Sequence, residues 1–169
     1  MKKVKWFVVA LLVVFSVIFL VSASHALTTE EQQYVLAMAN NATNVNNCLM
    51  DVSNTLSNAS VDNFNDPSWL VGLIIKVANL GKVAGEAEAI SCPERFRESN
   101  FYYLLCMDSL QSFSDYFIKA IKTNDKELKK IAFDYLLKGQ EYMNEFNVVW
   151  AKELYNDFDQ VTNYFEEVI

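Results

Sequence analysis

Of the side chains that do chemistry near neutral pH, this chain of 169 residues carries one histidine, three cysteines and 21 carboxylic acids. The histidine, His25, sits in Ser24-His25-Ala26, whose small residues occupy the two positions a signal peptidase reads, so it is expected to leave with the segment before it. Without an imidazole the remainder cannot build a Glu-x-x-His di-iron site, the usual haem ligation or most zinc sites, and it lacks the commonest general base. A Cys or Ser nucleophile would have only carboxylates and lysines to activate it. No glycine-rich phosphate loop is present. The acid pairs Asp157/Asp159 and Glu166/Glu167 stand one or two residues apart, and side chains so spaced on a helix do not face each other. The expectation is a chain that is not an enzyme and holds no metal or cofactor.

The cysteines have a different use. In an exported chain, three of them predict one disulfide and one remaining thiol. Counting about 1.5 Å per residue up one helix, down the next and up a third puts Cys48 and Cys106 within about 10 Å of one level. Cys48 to Cys106 is therefore the favoured pair. Cys92 lies in a loop that can move, which keeps Cys48 to Cys92 as the alternative. Asn41-Ala42-Thr43 and Asn58-Ala59-Ser60 fit the N-glycosylation pattern, and Asn41 and Asn58 both lie off the apolar stripe of the first helix.

Lys2, Lys3 and Lys5 open the chain, and Trp6 to Val21 is apolar apart from Ser16. Residues 1–26 thus read as a signal peptide cleaved after Ala26, with Val21-Ser22-Ala23 a weaker cut site and an uncleaved anchor helix the alternative. Either way residues 27–169 form one domain outside the cytoplasm, secreted or held at the membrane by the N-terminal segment. Losing that segment removes three lysines and no acid, taking the net charge from −7 to −10. Such a charge disfavours nucleic acid, which is bound by clustered Lys and Arg. Lys119 to Lys130 is the one locally basic stretch, and with Asp125 and Glu127 inside it, it reads as a solvated helix junction.

Four Gly and two Pro in the chain leave little material for the turns of a sandwich or barrel. Apolar spacing predicts four helices instead. Thr28 and Glu31 form a capping-box pattern, after which Met38, Ala42, Val45, Leu49, Val52, Leu56 and Ala59 recur at helical steps. Asp66-Pro67 opens a second helix to about Ile90, with Leu70, Ile74, Val77, Leu80 and Val83 as its stripe and Gly81 and Gly85 on a small-residue face. A third follows Pro93, with Tyr103, Cys106, Leu110, Phe113, Phe117 and Ile121 as its seam. Thr123-Asn124-Asp125 then starts the longest, through Leu128, Ile131, Tyr135, Tyr142, Phe146, Val149, Leu154, Phe158, Val161 and Phe165. Short turns between successive helices favour antiparallel neighbours.

The predicted fold is all-α: an up-down-up-down four-helix bundle of unequal helices, the first and fourth longest. Unequal lengths leave the start of the first helix beside the end of the fourth as an apolar stalk, where Tyr34, Leu36 and Met38 would face Tyr155, Phe158 and Phe165. That stalk suggests a helical interaction module binding a protein partner or a second copy, with the membrane accessible through the N-terminal segment. The alternative is a carrier or sensor with a slot for an apolar or aromatic molecule among Tyr103, Phe113, Tyr142 and Phe146.

Overall fold

The structure, a computed structural model, describes the backbone of residues 27–168 and the side chains of residues 27–154. The signal or anchor segment over 1–26 lies outside the described residues. Among these residues the chain is helical, with four α-helices and no strand. They are α1 (Thr29–Ser57), α2 (Pro67–Gly85), α3 (Arg97–Thr123) and α4 (Lys126–Val168), of 29, 19, 27 and 43 residues.

Local chemistry sets each end. Thr28 and Glu31 close the capping box in both directions: Glu31 N–H donates to Thr28 Oγ1 at 3.3 Å, and Thr28 N–H to Glu31 Oε2 at 2.7 Å. Asp66 accepts from Ser68 N–H at 2.9 Å ahead of Pro67. Asn124 ends α3 in the left-handed region at φ 50°, a conformation that Asn tolerates better than most side chains. Asp125 then accepts from Glu127 and Leu128 N–H to begin α4. Short 3-10 turns occupy Asp62–Asn65 between α1 and α2, and Glu86–Ala89 and Glu94–Phe96 between α2 and α3.

Successive helices run antiparallel. Along α1 the partners on α2 fall in number as the α1 residues rise: Asn41 with Val83, Cys48 with Asn79, Thr55 with Lys76. Glycine brings α2 and α3 together, since a Cβ on Gly81 would lie 2.7 Å from Ser114 Oγ, which donates to Val77 O at 2.6 Å. Between α3 and α4 the matched levels are Ser99 with Glu153, Tyr103 with Phe146, and Phe113 with Phe133. The result is a four-helix bundle with one continuous core.

The stripes of α1 and α3 follow the spacing for most of their length: Met38, Ala42, Val45, Leu49 and Val52, and Tyr103, Cys106, Leu110, Phe113 and Phe117, are buried, whereas Leu56 and Ile121 are half-buried and Ala59 lies beyond the end of α1. Those of α2 and α4 are rotated. On α2 the buried line is Leu73, Val77, Leu80, Gly81 and Ala84, with Leu70 and Ile74 half-buried. On α4 it is Ala132, Leu136, Gly139, Met143, Phe146, Val149 and Trp150, so Phe146 and Val149 of the predicted seam are kept while Ile131 is left at 38% exposure. Small residues let backbones approach, so the side bearing Gly or Ala is drawn to the neighbour and the bulkiest stripe is displaced.

Candidate functional site

The predicted slot between α3 and α4 is filled by the protein's own rings. Tyr34, Phe96, Trp150, Phe146 and Tyr103 form a column whose successive centroids lie 5.3, 4.8, 5.5 and 5.4 Å apart. Each is at most 2% exposed. Phe113 packs instead on Phe117 and Phe133, and Tyr142 lies half-buried against the core. Tyr103, Phe113 and Phe146 are thus core packing rather than the wall of a slot.

The stalk is corrected for a related reason. Tyr34 and Met38 are 2% and 0% exposed because the chain between α2 and α3 folds beneath the start of α1 and sets Phe96 on the Tyr34 ring. Tyr34 O–H donates to Asn100 Oδ1 at 2.9 Å, so α3 already reaches this level. Arg95 ties the same end together, 3.7 Å from Glu31 and donating to Glu153 O at 3.0 Å. Only Leu36 of the three α1 residues is exposed. Tyr155, Phe158 and Phe165 have side chains outside the described residues. Burial pushes the Glu153 carboxyl above its usual range, opposed by the bond it accepts from Ser99 N–H.

Neither cysteine pairing forms. Cys48, Cys92 and Cys106 are three separate thiols. Cys48 turns toward α2, where it accepts from Asn79 Nδ2 at 3.1 Å, while Cys106 is fully buried in the seam of α3 and Cys92 donates to Pro93 O at 3.2 Å. Burial raises all three thiols, that of Cys106 to about 12, so none is an activated thiolate. Asn41 is likewise turned inward. It is 7% exposed, its Nδ2 donates to Val83 O at 2.9 Å, and its Oδ1 accepts from Tyr103 O–H at 2.7 Å. Burial raises the Tyr103 hydroxyl, so it stays a donor. Asn58, the C-cap of α1, is exposed.

A pocket of about 570 Å³ lies at the opposite end of the bundle, where the turn from α1 to α2 meets the turn from α3 to α4. Leu56, Leu70, Leu73, Phe117 and Ile121 are among its apolar walls, and Phe64 and Phe133 stand at its rim, 52% and 39% exposed. Phe64 is held edge-on to Trp69 at 5.0 Å. The polar lining is Asn65, Asn124 and Lys129, with no acid. Lys129 is half-buried, and its Nζ donates to Asn124 Oδ1 at 3.3 Å. Among the described residues it has no carboxylate partner. The sequence hid this pocket, because its walls come from four helix ends and one 3-10 turn; the one local signal was the basic stretch Lys119 to Lys130.

A second surface runs along the outside of α2. Val71 and Ile75 are 56% and 63% exposed, Ala78 is exposed with them, and a Cβ on Gly72 would meet nothing within 4 Å. In the preceding turn Val61 and Phe64 are also exposed, at 81% and 52%. Within Pro67–Ala89 a window with mean hydropathy 1.2 is only 28% buried. The helix is apolar on the side packed into the bundle, and Val71, Ile75 and Ala78 add apolar surface outside, among exposed Lys76, Asn79 and Lys82. Compared with known protein families, curated proteins and solved structures, the chain has no significant match.

Proposed function

We propose that this chain is an exported, non-enzymatic helical interaction module, and that it docks through the outer face of α2 rather than through the ends of α1 and α4. The carrying observation is the two-sided apolarity of α2: Leu73, Val77 and Leu80 face the core while Val71 and Ile75 face outward. A helix that meets water on one side ordinarily carries charge there, and an uncovered apolar face gains free energy when a partner covers it. The partner proposed is a second copy of the same helix. Val71, Ile75 and Ala78 form an apolar strip that ends at exposed Lys82 one turn further on, and a two-fold axis pairs such a strip with itself while keeping the acidic surfaces apart. Lys76 is engaged elsewhere, donating to Thr55 Oγ1 at 2.8 Å on α1. Export rests on the apolar run before residue 27, and the absence of an enzymatic role on the loss of His25 with it.

Cross-linking of the full-length chain in the cells that make it tests the proposal. The resident thiols are buried or half-buried, so a single introduced cysteine dominates reaction with a short bifunctional maleimide. Ala78→Cys gives a covalent dimer, and Glu141→Cys, exposed on α4, does not. Equal yields at the two positions, or none at Ala78→Cys, would remove the interface.

A further inference from the structure

We propose that the pocket at the turn end of the bundle is a binding site for a single-chain apolar carboxylic acid, with its tail among Leu56, Leu73, Phe117 and Ile121 and its carboxylate on Lys129. This goes beyond docking through α2 and rests on different residues.

Three observations converge. The volume, about 570 Å³, lies within the range of small-molecule sites. The walls are mostly aliphatic and aromatic, which suits a hydrocarbon tail and offers few partners to a sugar or nucleotide. The third observation selects the head group. Lys129 lines an apolar pocket half out of water, with an amide oxygen at 3.3 Å as its described partner and no acid in the lining. The Lys129 ammonium meets no carboxylate in this lining, and a ligand carboxylate supplies one through a charge-assisted hydrogen bond. Asn65 and Asn124, the other polar side chains of the lining, have amide groups able to donate to a second carboxylate oxygen. The exposed rings of Phe64 and Phe133 stand where such a ligand would enter. A chain with net charge −7 repels anions in general, so the ligand must bring enough apolar surface to outweigh that field.

Titration calorimetry of the full-length chain with octanoate and with octan-1-ol tests the site. Octanoate binds saturably, one per chain, and more tightly than octanol. Lys129→Gln weakens octanoate about tenfold or more, the scale of one charge-assisted bond, and leaves octanol unchanged. Ile121→Trp, which fills the cavity, weakens both ligands, with helicity by circular dichroism confirming that each variant is folded. No saturable octanoate binding, an equal response of both ligands to Lys129→Gln, or no response to Ile121→Trp would overturn the proposal. So would binding to anionic lipid vesicles that Phe64→Asp abolishes and octanoate does not displace, since this end would then face a lipid surface.

Discussion

At Asn41 one amide holds three helices: it extends from α1, donates to Val83 O on α2 and accepts from the Tyr103 hydroxyl on α3. Buried polar groups destabilise a fold when their partners are removed, so Asn41→Ala, which orphans the buried Tyr103 O–H, is expected to cost about 1–3 kcal/mol in urea denaturation. Mass spectrometry should find Asn41 without a glycan, whatever the state of exposed Asn58. The thiols give a second expectation at this scale. A maleimide added to the native chain should modify Cys92 first, and Cys48 and Cys106 only in denaturant, because Cys48 and Cys106 are 8% and 0% exposed. Two fewer thiols in the denatured, unreduced chain would bring back a disulfide. Both corrections have one cause. Asn41 and the cysteines carry the right atoms in the sequence, but which way each side chain points depends on a neighbouring helix that local spacing does not include.

Among the elements, the caps were legible and two of the four packing faces were not. Thr28/Glu31, Asp66-Pro67 and Asn124-Asp125 act over a few residues, so reading them locally locates the starts of α1, α2 and α4 and the end of α3, whereas α2 stops at Gly85 and not near Ile90, giving way to a 3-10 turn. Faces are chosen by what fits against a neighbour. The glycines of α2 show this in opposite senses. Gly81→Ala should destabilise by about 1–3 kcal/mol, since the new methyl collides with Ser114, 2.7 Å away, and pushes against its bond to Val77 O. Gly72→Ala, meeting nothing within 4 Å, should stabilise by about 0.5–1 kcal/mol through helix propensity alone. Denaturation curves at a concentration where the chain is monomeric give both values, and a shared sign would mean that the rotation of α2 is wrong.

For the whole molecule, charge and shape act together. Copies with net charge −7 repel one another in dilute salt, while Val71, Ile75 and Ala78 on the outer strip of α2 are uncharged and the strip carries no acid, only Lys82 at its end. Association through that strip should therefore strengthen as salt screens the repulsion, read as a rise in mean mass by sedimentation equilibrium; weakening with salt would point to an interface built on ion pairs. The order of elements, their antiparallel run and their unequal lengths follow from short turns and apolar periodicity, and are visible in the linear chain. So is the lack of any imidazole after His25, because composition does not depend on folding. Folding alone decided that Phe96 swings under Tyr34 to bury the expected stalk, that five rings fill the expected slot, and that four helix ends enclose a pocket around Lys129. Periodicity identifies which residues of one helix share a side. Which side turns inward is settled by close packing among all the helices at once, where a glycine or alanine that lets two backbones approach can outweigh a bulkier stripe.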